Sequence, residues 1–198
     1  MPSNRFPAKL VYAVISAVLG VVFLPACSVN VQKEKNGEDK KVDIQTPLGG
    51  IHVSKDANVS DVGVPVYPGA RLKQKDSGAV DDKSANVNIS GFGFGLKVVA
   101  LQYESDDPPA KVVAFYQNQL KKYGNILLCH TSGMQVDTNV KHSGEDSHEL
   151  TCEGESGSNV ELKVGTKENQ HIVEVEPQGK GSQFSLVYVR THGKDADI

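Results

Sequence analysis

The stretch that most constrains this chain is residues 5–28. Two cations, Arg5 and Lys9, precede a 15-residue run without charge, residues 10–24, which gives way to Pro25, Ala26 and Cys27. A basic flank, a short apolar core and a small residue at the exit are the layout of a secretory signal that is removed on export. A spanning helix needs about 20 apolar residues, so the run is short for a permanent anchor. Setting aside residues 1–26 leaves 172 of 198 residues, enough for one domain of ordinary size with a tail, in an oxidising compartment.

The exit of the run resembles the bacterial lipobox, in which the cysteine is acylated and becomes the new N-terminus. Leu24 and Ala26 fit its third and first positions before the cysteine, and Pro25 is the departure. Ser28, not aspartate, follows Cys27, which in a double-membrane bacterium resembles the outer-membrane sorting pattern. The expectation is a lipid anchor on Cys27, with the membrane as first partner and the domain facing the periplasm. Of three cysteines, Cys129 and Cys152 then remain as a pair, in expected strands flanking one polar loop. The signal holds two of the 21 cations and none of the 24 acids, so the mature chain carries a net charge of about −5. Nucleic acid is excluded as a partner, because phosphate binding needs a basic face.

Residues 27–41 are charged and polar and are expected to form a disordered tether, leaving 42–192 as a single domain. Alternation at residues 42–46 and 51–53 around Pro47-Leu48-Gly49-Gly50 predicts two short strands and a turn. Pro65 and Pro68 mark residues 64–70 as an edge strand or rigid lead-in. Residues 73–86 read as a loop, and residues 86–90 and 91–104 as a strand pair. In the second of these, Phe92, Phe94, Leu96 and Val98 take one face and Gly91, Gly93 and Gly95 the other. Leu96 stands where a third glycine of a nucleotide fingerprint belongs and no helix start follows, so a phosphate loop is not indicated.

One amphipathic helix is predicted over about 108–123. Asp106 and Asp107 offer cap carboxylates, Pro108 and Pro109 suit a first turn, and Gly124 is a stop. Val112, Val113, Tyr116, Leu120 and Tyr123 form its apolar stripe. Strands at 126–130, 149–153, 159–164, 171–176 and 183–190, with short Gly-rich connections, predict an antiparallel meander. Glu161 and Lys163 alternate with Val160, Leu162 and Val164, implying a solvated face on that strand. The fold class is therefore α+β, an antiparallel sheet with the helix packed on one face.

Tyr-Pro-Gly-Ala at 67–70, the Asp-Pro-Pro-Ala-Lys-Val-Val-Ala-Phe-Tyr run from 107 and Leu-Lys-Lys-Tyr-Gly ending at 124 resemble a module of uncharacterised bacterial exported lipoproteins. In that module a "YPGA" strand, an "FY…L…YG" helix and a closing meander follow one another, over what corresponds to residues 64–190. The resemblance implies the same α+β fold and adds no catalytic residue.

Candidate chemistry is sparse. His142, Glu145, Asp146 and His148, with His130 across the hairpin, offer ligand types that Zn²⁺ takes, although in a Gly/Ser loop and not at helical spacing. The enzyme alternative is a metal-dependent periplasmic hydrolase using His142 and His148. Gly154-Glu155-Ser156-Gly157-Ser158 lacks the last glycine of a nucleophile elbow, and there is no Cys-x-x-Cys. The leading expectation is a non-catalytic envelope lipoprotein without a cofactor, binding a protein, an apolar ligand or a cell-wall component. Tyr67, Gly91, Gly93 and Gly95 are the expected border of its interaction surface, since glycines allow close backbone approach.

Overall fold

A computed structural model describes residues 27–33, 39–73, 84–91, 93–132, 148–152 and 157–192. Its elements in chain order are β1 (Ser28–Lys33), β2 (Asp39–Thr46), β3 (Gly49–Ser54), α1 (Val59–Val62), β4 (Arg71–Leu72), β5 (Ser84–Gly91), β6 (Phe94–Ser105), α2 (Pro109–Leu120), β7 (Ile126–Thr131), β8 (Asn159–Thr166), β9 (Asn169–Gln178) and β10 (Gly181–His192). All strands join one open antiparallel sheet in the order β1-β2-β3-β5-β6-β10-β9-β8-β7. β4 pairs with the end of β6 that β5 leaves free, opposite Tyr103 and Glu104.

The helix is built from the predicted stripe. Val112, Tyr116 and Leu120 are fully buried, and Val113, Phe115 and Tyr123 pack beside them. They lie on Val173, Val175, Leu162, Leu186 and Phe184 of the sheet. Each such side chain contributes about 1.5–3 kcal/mol by leaving water, so the stripe holds α2 in place far more strongly than helix propensity does. A turn of 3₁₀ helix (Lys121–Tyr123) ends it, and Gly124 stops it at φ 134°. The expected cap is absent: Pro108 is the N-cap and no side chain caps the helix. Asp107 is drawn away by the Tyr67 hydroxyl (2.9 Å) and the Lys111 ammonium (2.8 Å).

Residues 42–70 both extend the sheet and cover it. β2 and β3 extend the sheet through β5, while Val62, Val64, Val66, Tyr67 and Ala70 join the core beneath α2. Of the two forms expected for residues 64–70, the lead-in is found and the edge strand is not, because the proline-bracketed backbone offers the Tyr67 N–H to the Tyr116 hydroxyl (3.0 Å). α1 was not anticipated at all. It ends on Gly63 at φ 74°, where a side chain would press on the Tyr123 hydroxyl at 3.1 Å.

The reading of 27–41 as a disordered tether is corrected at both ends. Residues 28–33 are β1 and residues 39–41 open β2. Val29 and Val31 align with Ile44 and Val42, an alternation too short to stand out beside the charged run that follows.

Register reveals that the two halves of the sheet bury opposite faces. Under α2, the aligned residues Leu101, Leu186, Val173 and Leu162 form the core. On that same side the N-terminal strands carry Asn30, Asp43, His52, Asn88 and Lys97 in a continuous polar row. Their valines and isoleucines face the reverse side, where Val98, Val187, Val189 and Ile172 form a second cluster. β6 and β10 serve both cores, so each is apolar on its two faces over part of its length.

Candidate functional site

A buried cluster of titratable groups lies on the reverse face of β8 and β9. Strand alternation puts Glu161 and Lys163 on the side away from α2, and antiparallel register sets Glu161 directly opposite Glu174 and Cys129. The solvated face expected here is not found. Glu161 is 1% exposed, Lys163 4% and Glu174 7%. The disulfide between Cys129 and Cys152, with Cα atoms 5.5 Å apart, ties residues 148–152 against β7. The Thr151 carbonyl thereby accepts a hydrogen bond from the Lys163 ammonium at 3.4 Å.

Within this cover Lys163 Nζ pairs with Glu161 Oε1 at 2.9 Å. Glu174 Oε1 accepts from Asn159 Nδ2 at 3.0 Å and from Thr131 Oγ1 at 3.3 Å. Glu161 Oε2 is buried with no hydrogen-bond partner among the described residues. Burial first, and then the Glu161 charge, raise the Glu174 carboxyl above its ordinary pKa, against the two hydrogen bonds that lower it. Two facing carboxylates share one ammonium, so burial and the Glu161 charge both disfavour the charged form of Glu174. Buried to this depth, the cluster is closed to a dissolved substrate.

A carboxyl whose folded pKa is raised contributes stability that is present below its unfolded value, about 4.3, and lost as pH rises through the folded value. Glu174→Gln keeps an acceptor for Asn159 and Thr131 and removes the charge facing Glu161. The variant is expected to be more stable than the parent at pH 7, with the gap closing toward pH 4, as read from urea midpoints across that range. A variant less stable at every pH means that Glu174 is charged and adequately paired in the fold.

The residues singled out in the sequence are dispersed. Tyr67 is half-buried, its ring edge-on to Phe115 at 5.2 Å and to Phe184 at 6.4 Å, so it belongs largely to the core. Gly93 sits in the β5–β6 turn at φ 79°. That turn places Gly91 opposite Phe94 and Ser90 opposite Gly95, so Gly91 and Gly95 face opposite sides and the expected single glycine face does not exist. A side chain at Gly91 would meet the Leu48 carbonyl at 2.9 Å, and one at Gly95 would meet the His192 ring. Phe184 is paired with Tyr103, eight residues along β6 from Gly95, which at about 3.3 Å per residue puts Tyr67 and the glycines roughly 26 Å apart.

His142 lies outside the described residues. His148 is exposed, with Nδ1 3.0 Å from Glu168 Oε1, and His130 is exposed on β7. Among the described residues no group of three or more metal-ligating side chains is found. The expected strand at 149–153 is irregular over residues 148–152, because the disulfide and the Lys167 N–H bonded to the His148 carbonyl replace a strand ladder.

Sequence reading missed a second pairing, His52 Nδ1 with Asp43 Oδ1 across β2 and β3. The signal was present in the symmetric hairpin around residues 47–50, which sets the centre of Val42-Asp43-Ile44 opposite the centre of Ile51-His52-Val53. The next residue across is Asn88, whose amide donates to Asn86, so this carboxylate–imidazole pair has no nucleophile beside it on β5. The Gln178–Ser182 turn borders a shallow groove of about 440 Å³ with Arg71, Glu104 and Asp106. Its guanidinium is already engaged, donating twice to Asp106 at 2.9 Å.

No family model matches the chain, and neither a curated protein nor a solved structure is similar to it. Among the described residues no helix is long and apolar enough to cross a membrane.

Proposed function

We propose that this is an exported protein anchored to the bacterial envelope by lipid on Cys27, whose domain is a non-catalytic binding or structural module. The observation that carries the reading is the use of the cysteines. Cys129 and Cys152 are paired, and Cys27, exposed one residue before β1, is the one left over. A structural disulfide belongs to an oxidising compartment, and the apolar run of residues 10–24 supplies the route there. Ser28 favours outer-membrane sorting, with the domain in the periplasm. The likeness of residues 64–190 to exported lipoprotein modules agrees with this assignment.

The non-catalytic part rests on the burial of the best-organised titratable cluster, Glu161, Lys163 and Glu174, and on the lack of a nucleophile beside His52 on β5. A partner protein, an apolar ligand or a cell-wall component is the expected class of binding target. Cys27→Ser is expected to move the protein from the membrane fraction to the soluble fraction, because acyl chains contribute about 0.8 kcal/mol per buried CH₂ and the variant has none. Variant protein that has lost residues 1–26 yet still sediments with membranes overturns the anchor.

A further inference from the structure

The reverse face of the N-terminal half-sheet carries two apolar rows. Val31, Val42, Val53, Val87, Val98 and Val189 align across six strands, and Val29, Ile44, Ile51, Ile89 and Leu96 align beside them. Val189 at the inner end is 3% exposed, whereas Val53 is 37%, Val31 41% and Val29 65% exposed. A contiguous apolar patch of this kind on a folded domain marks a surface that something covers. From these rows and the position of Cys27 we infer that this face, from β1 through β3, rests on the bilayer that holds the acylated Cys27.

The inference rests on the proposed acylation and adds which face meets the lipid. Reach decides it. Cys27 precedes Ser28, the first residue of β1, with no spacer. An extended residue spans at most ~3.6 Å, so Val29 lies within about 7 Å of the acylated residue. An interfacial element sinks about 5–10 Å into the headgroup and acyl boundary, so the first residues of β1 cannot leave that layer while Cys27 stays anchored. Of the two faces β1 can offer, one carries Asn30, Asp43 and His52 and the other Val29, Ile44 and Ile51. The second replaces water by lipid favourably and the first does not. The free N–H and C=O groups of edge strand β1 find partners among headgroups and water at this depth, which they would lack in the hydrocarbon core.

The sequence contains no tryptophan, so an introduced one reports alone. Full-length protein carrying Ile51→Trp, Val53→Trp or, on the opposite face of β2, Gln45→Trp is purified from membranes. Each is reconstituted into phosphatidylcholine vesicles with brominated acyl chains. The expected result is that Ile51→Trp and Val53→Trp lose most of their emission to the bromine atoms while Gln45→Trp keeps its own. Equal quenching at all three positions, or none at 51 and 53, overturns the inference, as does emission at 51 that is shielded only by association of two copies. Mass spectrometry of the same samples separates the two readings. A Cys27 without acyl chains defeats the anchor and this inference together, whereas acylated protein with unquenched 51 and 53 defeats the membrane-facing surface alone.

Discussion

Lys163→Met is expected to destabilise the domain by about 3–5 kcal/mol at pH 7, the cost of leaving a buried charge without its partner. Glu161 is 1% exposed, its Oε1 depends on the Lys163 ammonium, and its Oε2 has no partner among the described residues. Without Lys163 both Glu161 carboxylate oxygens are buried with no partner among the described residues. Replacing both members, Glu161→Leu with Lys163→Met, is expected to recover most of the loss, because apolar pairs of similar volume often match a buried ion pair. Urea unfolding followed by circular dichroism at pH 7 reads both effects. A single variant within about 0.5 kcal/mol of the parent at pH 7, as for an ordinary surface change, means the pair is solvated.

The helix and the meander were legible because their periodicities are long and uninterrupted. Val112, Tyr116 and Leu120 repeat at helical spacing, and Val160, Leu162 and Val164 alternate. What the pattern of one strand could not convey is what covers its other face. Glu161 and Lys163 have the signature of a solvated face, yet both are buried, and the disulfide-held segment 148–152 brings the Thr151 carbonyl onto Lys163. The glycine run failed for a related reason. A period of two assumes an unbroken strand, and a turn at Gly93 shifts the phase, so residues two and four apart no longer share a side. β1 was lost because two valines among polar neighbours are weak evidence alone, and they become a row only when Ile44, Ile51 and Ile89 line up beside them. Long-range register is the common missing quantity, and it is also what exposes the inversion of the apolar face between the two halves of the sheet.

Removing the disulfide is expected to lower stability by about 3 kcal/mol, the chain-entropy value for closing a loop of this length. Cys129 and Cys152 are 23 residues apart, and Cys152 lies in no strand, so the bond is the chief tie between residues 148–152 and β7. The loss therefore extends past entropy. When Cys152→Ala frees that segment, the Thr151 carbonyl leaves Lys163, and water reaches an ion pair that the fold had enclosed. Water lowers the cost of an unpaired Glu161 charge, so Lys163→Met should cost less in the Cys152→Ala background than in the parent. A double-mutant cycle is the appropriate measurement, since groups in one network depart from additivity by about 0.5–3 kcal/mol. The expected coupling has the sign of a smaller combined loss than the sum of the single losses. Strict additivity would mean that residues 148–152 stay over β8 without the bond, held by the Lys167 N–H to the His148 carbonyl and by the His148–Glu168 pair. In that case the burial of Glu161 and Lys163 comes from the loop's own packing, and the disulfide acts on the unfolded chain alone.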